Sequence, residues 1–293
     1  MPMSRVFIVD VFAEEKYAGN QLAVVTGAAE LSGEAMQRIA RETNFSETTF
    51  VLSDEPRNGG YDVRIFTPAA EIPFAGHPTL GTAFVLRNEI LAGRPAIVAL
   101  NLGVGQVQVS FADDPDGRET VWMRAPEVVL GKVRSRAEIA KVVGLAPADL
   151  DDRYPVQDAS IGLSFTIIPV AALEAIKRAR FDRAAYGREA EAPHALFLFT
   201  TQTYSAQNQI NARMFAEPFG VPEDPATGSA NACLGAYLLR HQDAANGRVE
   251  VRVEQGYEIG RPSLLFVRAE RGAAGADVHV GGHVLPTFRG ELL

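Results

Sequence analysis

Glu47 and His77 are the side chains here whose surroundings could turn ordinary acid–base groups into chemically useful ones. Glu47 stands in Asn44-Phe45-Ser46-Glu47-Thr48-Thr49-Phe50-Val51, at the entry to a strand-like run with aromatic neighbours. Pointing into an apolar cleft, its carboxyl would be desolvated and its pKa raised toward the range where it can take and return a proton near neutral pH. Facing water, it is an ordinary strand-end carboxylate. His77 directly precedes Pro78 at an expected helix start. Its ring can cap and pack there, or face a ligand.

Both residues belong to a larger pattern, because the segment around His77 is written twice. Phe66-Thr67-Pro68-Ala69-Ala70-Glu71-Ile72-Pro73-Phe74-Ala75-Gly76-His77-Pro78-Thr79-Leu80-Gly81 recurs loosely as Phe215-Ala216-Glu217-Pro218-Phe219-Gly220-Val221-Pro222-Glu223-Asp224-Pro225-Ala226-Thr227-Gly228-Ser229-Ala230. Each copy starts as a strand and runs into small and apolar residues, and the fixed φ of Pro78 and Pro225 marks them as expected helix starts. The free N–H groups and positive dipole end of a first turn suit an anion, and Gly76 and Gly228 let a ligand approach the backbone closely. Two such helix ends facing each other across a domain interface would hold a small carboxylate.

Other chemistry finds little support. Leu102-Gly103-Val104-Gly105 lies between strand-like runs with no third glycine opening a helix, so it reads as a hairpin turn and not a dinucleotide loop. In His279-Val280-Gly281-Gly282-His283 the glycines break any helix that would align the imidazoles, and no carboxylate or thiol cluster joins them, so no metal is expected. No G-x-S-x-G elbow supports a serine hydrolase. Cys233, the only cysteine, cannot form an internal disulfide, which fits a reducing compartment.

The chain has 293 residues, 47% hydrophobic and 22% charged, with a net charge of −8. Such acidity argues against nucleic acid or anionic membrane as the main partner. The basic cluster Lys177, Arg178 and Arg180 reads as a solvated helix end. No leader and no apolar run of roughly 20 residues is seen, so a cytoplasmic location is expected.

Alternation broken by turn residues places strands near 4–11, 21–26, 48–54, 60–67, 96–101, 105–112 and 119–124. Further strands fall near 163–168, 195–201, 208–215, 248–254, 262–269 and 276–281. Leu31–Thr43 reads as an amphipathic helix behind a Ser32 cap, Ala171–Arg180 as a helical stretch, and Ser135-x-x-Glu138 as a capping box. Pro78–Leu91 and Ala226–His241 are apolar nearly all round, as buried helices are. The expected fold is α+β, with two pseudo-symmetric domains over 1–127 and 128–281, each a curved, mostly antiparallel sheet around one buried helix. Residues 282–293 are free to return to the first domain.

Gly19-Asn20-Gln21-Leu22-Ala23-Val24, Asn44–Val51, Gly76-His77-Pro78-Thr79, Glu223–Ala230 and Glu254-Gln255-Gly256-Tyr257-Glu258-Ile259-Gly260-Arg261-Pro262-Ser263 together resemble the phenazine-biosynthesis PhzF-like family over nearly the whole chain. The resemblance implies a diaminopimelate epimerase-like fold, a homodimer, and a site between the domains that uses no metal or organic cofactor. It implies isomerisation of a carboxylate such as trans-2,3-dihydro-3-hydroxyanthranilate, with Glu47 moving a proton between ring carbons. His77 and Asp224 would orient the ring and assist, while Gly76, Gly228, Ser229 and Asn20 would bind substrate. Epimerases of this fold use two opposed cysteines, and those places here hold Gly76 and Asp224. Two alternatives accompany this reading. One is a carboxylate-binding or regulatory protein without catalysis; the other is an amino-acid racemase or epimerase using Glu47 and Asp224.

Overall fold

The computed structural model describes residues 4–114, 116–189, 194–242, 247–272 and 275–293. In chain order the elements begin with β1 (Arg5–Val11), β2 (Asn20–Thr26), α1 (Gly33–Thr43), β3 (Glu47–Val51), β4 (Tyr61–Phe66), β5 (Glu71–Ile72), α2 (Gly76–Val85), β6 (Ile97–Leu102), β7 (Gly105–Asp113) and β8 (Glu119–Arg124). They continue with β9 (Val129–Val133), α3 (Arg136–Val142), β10 (Gln157–Ser160), β11 (Ser164–Pro169), α4 (Leu173–Arg178), α5 (Arg183–Glu189), β12 (Ala195–Thr200), β13 (Ile210–Ala216) and β14 (Val221–Asp224). The last are α6 (Gly228–His241), β15 (Arg248–Gln255), β16 (Ser263–Gly272), β17 (Gly275–Gly282) and β18 (Val284–Glu291). The chain divides into one unit of 1–124 with 281–293 and another of 125–280.

In the first unit β18 pairs antiparallel with β1, β1 antiparallel with β2, β2 parallel with β3, β3 antiparallel with β4, β4 parallel with β6, and β6 antiparallel with β7. The second unit repeats this sequence of senses: β9–β10 and β10–β11 antiparallel, β11–β12 parallel, β12–β13 antiparallel, β13–β15 parallel, β15–β16 antiparallel. The short β5 and β14 pair with β4 and β13 at equivalent places. Each precedes its unit's central helix, so the written repeat is a repeat of topology.

The two central helices are enclosed by their own sheets. α2 touches β1, β2, β3, β6, β7, β8 and β18, and α6 touches β9, β10, β11, β15 and β16. Nearly every residue of α2, and Gly228 through Leu239 of α6, is buried, as their lack of a polar face requires. Each carries a Leu-Gly pair that lets it approach the sheet. A Cβ on Gly81 would lie 2.6 Å from Cδ2 of Leu22 and 2.9 Å from Cγ2 of Val11, and one on Gly235 would lie 2.8 Å from Cγ1 of Val267.

Smaller cores lie outside these sheets. Met36 and Ala40 of α1 pack with Val25, Phe50 and Phe66, the two rings edge to face at 5.4 Å. Ser32 caps α1 by accepting from the Ala35 N–H at 3.1 Å, and Ser135 caps α3 through the Glu138 N–H at 3.4 Å. Residues of α3, α4 and α5 bury a second cluster with Ile168, Leu196, Leu198 and Phe215.

Two helix starts differ from expectation. α2 begins at Gly76, two residues before Pro78, because the third helical N–H has no intrahelical acceptor and proline loses nothing by lacking it. It ends at Val85, and Leu86–Ile90 forms one π turn. Pro225 lies outside its helix: β14 runs to Asp224, Thr227 is the N-cap, and α6 starts at Gly228. Leu102 and Gly105 close a hairpin between β6 and β7, as read from the sequence.

Candidate functional site

Rigid elements fix Glu47 on both sides. α1 stops at Asn44, whose left-handed backbone (φ 53°) turns the chain toward β3. Thr43 and Thr48 then share a hydroxyl hydrogen bond at 2.8 Å, tying the helix end to the strand start. Glu47 opens β3 in register with Leu22 of β2, and Thr49 reaches Thr82 of α2 at 2.8 Å between hydroxyls. The Glu47 side chain is 16% exposed and that of His77 5%, with Oε2 of the former 3.4 Å from Nε2 of the latter.

His77 is the second residue of α2, directly after Gly76. Burial pushes its imidazole down to about 3, partly opposed by a hydrogen bond with the Gln21 backbone. The ring is therefore neutral near pH 7, and its approach to Glu47 joins a neutral imidazole to a carboxyl group; it is not an ion pair. On the other side the Asn20 amide lies 3.2 Å from Nδ1. An amide nitrogen and an amide oxygen complement opposite tautomers, so Asn20 helps decide which ring nitrogen carries the proton. The structure thus brings Asn20, Glu47, Gly76 and His77 together at one end of α2.

Asp224, Gly228 and Ser229 cluster in the same way at the start of α6. Asp224 ends β14, Gly228 is the first helical residue and Ser229 the second, the place His77 holds in α2. Asp224 is 7% and Ser229 4% exposed. Neither Ala75 nor Thr227 caps its helix with a side-chain hydrogen bond, so neither first turn is sealed by its own N-cap. Such a turn can accept an anion.

Several supporting residues, most of them inside the quoted motifs, were given no role by the sequence. Thr227 donates to Oδ2 of Asp224 at 2.6 Å, and Gln255, fully buried at the end of β15, hydrogen-bonds to Thr227, Asn231 and the Asp224 backbone. Arg213 forms a two-pronged pair with Glu223, the neighbour of Asp224, at 2.8 and 2.7 Å, and also donates to the carbonyls of Ile176 and Ala179. A charged residue inside the apolar run Ile210–Ala216 was the available signal. Glu254, with no exposure, accepts from the backbone N–H groups of Tyr204 and Ser205 and the side-chain amides of Asn208 and Asn211.

The histidine pair at 279 and 283 needs one correction. Carboxylates do flank His283: Nδ1 is 2.7 Å from Glu14 and Nε2 3.0 Å from Asp114, with Arg118 bound to the same Glu14. Loops distant in sequence deliver them, so no local spacing announced them. This cluster joins the start of β18 to the first unit's loops. Among the described residues no group of His, Cys, Asp and Glu is arranged to hold a metal ion, and no helix is long and apolar enough to cross a membrane.

Comparison with known proteins agrees with this architecture. Residues 9–290 match the family model for phenazine biosynthesis-like proteins. The trans-2,3-dihydro-3-hydroxyanthranilate isomerase of Pseudomonas fluorescens is 34% identical, over 99% of this chain and 100% of its own. An uncharacterized isomerase of Mesorhizobium japonicum is 35% identical over 97% of each chain. The crystal structure of a PhzF-family phenazine biosynthesis protein from Bacillus anthracis superposes with a TM-score of 0.92 at 27% identity, covering all of both chains. A match this complete, in sequence and in the duplicated fold, means that the chain belongs to the phenazine biosynthesis-like, or PhzF, family and is an isomerase.

Proposed function

We propose that this isomerase moves a proton between carbons of a small cyclic or unsaturated carboxylate of the trans-2,3-dihydro-3-hydroxyanthranilate type, with Glu47 as the carrier. The observation that carries the proposal is the Glu47 carboxyl, mostly buried and 3.4 Å from a neutral imidazole at the start of α2. A carboxylate accepts a proton from one carbon and returns it to another. The electron pair released by the first C–H bond shifts along the unsaturated system and forms the second, so no oxidant, reductant or co-reactant is consumed.

In this reading His77 hydrogen-bonds either to Glu47 or to the substrate, and its neutrality lets it do so without fixing Glu47 in an ion pair. Asp224 and Ser229 are assigned to orienting the substrate, and the first-turn N–H groups from Gly76 and Gly228 to its carboxylate. The 34% identity to trans-2,3-dihydro-3-hydroxyanthranilate isomerases of Pseudomonas fluorescens and Pseudomonas aeruginosa supports the substrate class.

Glu47→Gln keeps the shape and removes the base. Turnover of trans-2,3-dihydro-3-hydroxyanthranilate, followed by its ultraviolet absorbance, should fall by roughly 10² to 10⁴ while circular dichroism stays unchanged. Wild-type turnover in that variant would end the proposal.

A further inference from the structure

The side-chain amide of Gln255 uses all of its hydrogen-bonding capacity on the turn that carries Asp224. Nε2 donates to the Asp224 carbonyl at 2.9 Å and to Oγ1 of Thr227 at 3.1 Å. Oε1 accepts from the Thr227 N–H at 3.2 Å and from Nδ2 of Asn231 at 3.1 Å. These partners fix the amide's orientation. Turned over, it would set oxygen against the Asp224 carbonyl and N–H₂ against the Thr227 N–H. Asn231 cannot turn to compensate, since its Nδ2 also donates to the Thr227 carbonyl at 3.0 Å.

The orientation of Gln255 determines that of the Thr227 hydroxyl. Because Oγ1 accepts from Gln255, its hydrogen points away toward Oδ2 of Asp224, 2.6 Å off. Gln255 itself has no freedom: it is fully buried, and its backbone is held by Ala212 of β13 on one side and Ser263 of β16 on the other. Next to it Gly256, at φ 78°, abuts Pro225, where a Cβ would lie 2.6 Å from the Pro225 oxygen.

We infer that Gln255 is a positioning residue of the reaction: through Thr227 it holds the Asp224 carboxylate as a hydrogen-bond acceptor in a single orientation. The inference rests on the assignment of Asp224 to substrate made above. A hydroxyl donated to a carboxylate favours its charged form, so the relay from Gln255 through Thr227 favours Asp224 as an acceptor over Asp224 as an acid.

The test reads Asp224 directly by ¹³C NMR of protein labelled at the aspartate carboxyl carbon, the resonance assigned with Asp224→Asn. Thr227→Val and Gln255→Met should each raise the pH midpoint of Asp224 by about one unit, and the double variant should raise it no further. The acid limb of the pH–kcat/KM profile should move with it. Should Gln255→Met fail to fold, Gln255→Leu serves: it too offers no donor to the Thr227 hydroxyl and adds no charge beside Asp224, which again titrates higher. A folded Gln255 variant with the wild-type midpoint, or a double variant whose shift is the sum of the two, would overturn the inference. Because the resonance is read without substrate, an inert wild-type enzyme would count against the proposed reaction and not against this coupling.

Discussion

Replacing His77 by Gln should make the protein markedly less sensitive to acid, by an amount the structure sets. In the folded chain burial holds the imidazole down to about 3; in the unfolded chain it returns to its ordinary value near 6.5. Protons therefore bind the unfolded chain preferentially between these values. The stability that neutral His77 contributes is fully present above about pH 6.5 and is lost as the pH falls toward its folded value.

At pH 5 about 97% of unfolded chains carry the proton and only about 1% of folded ones do, which costs the wild type about 2 kcal/mol relative to pH 8. The figure depends little on how low the folded value lies, provided it stays below about 4. Urea unfolding at pH 8 and pH 5, followed by the fluorescence of the single tryptophan, Trp122, reports the unit that contains His77. The wild type should lose about 2 kcal/mol more than His77→Gln between the two pH values. Equal losses would show that folded His77 is protonated at pH 5 and paired as a cation with Glu47, contrary to the neutral contact described here.

Two further substitutions probe the supports of the site. Gly81→Ala places a methyl group 2.6 Å from Leu22, so overpacking of about 1 to 3 kcal/mol should outweigh a helix-propensity gain of about 1 kcal/mol; an unchanged or raised melting temperature would contradict that packing. Arg213→Met leaves the Glu223 carboxylate buried without its two-pronged partner and should cost about 3 to 5 kcal/mol in urea unfolding, part of which Arg213→Met with Glu223→Leu recovers. Failure of the second change to recover anything would mean that Arg213 acts through its carbonyl contacts and not through Glu223.

The duplicated plan could be read from sequence because its two central helices are apolar all round and follow strands with clear alternation. Elements without that signature escaped. β9 is exposed along most of its length, with Val129 and Val133 each 58% exposed, so its apolar residues mark no buried face. β18 contains Pro286, which argues against a strand; the structure accommodates it opposite Val9, where the pairing with β1 shifts register. β14 is short and also holds a proline.

The candidate site divides in the same way. Glu47, His77 and Asp224 stand within compact motifs, and it is the resemblance those motifs carry that assigns Glu47 and Asp224 their roles. Gln255 lies 28 residues from Thr227 and Arg213 ten from Glu223, and side-chain pairing at such separations leaves no local pattern. The neutrality of His77 is a property of its burial, which no neighbouring residue in sequence reveals.

Proton NMR of trans-2,3-dihydro-3-hydroxyanthranilate incubated in D₂O with the wild-type protein and with Glu47→Gln tests the central assignment most directly. Glu47 as carrier predicts isomerisation by the wild type, with the proton's new position on the ring visible as a new resonance or one weakened by deuterium taken up from solvent, and isomerisation by Glu47→Gln slower by roughly 10² to 10⁴. Isomerisation at equal rates by both proteins would contradict it.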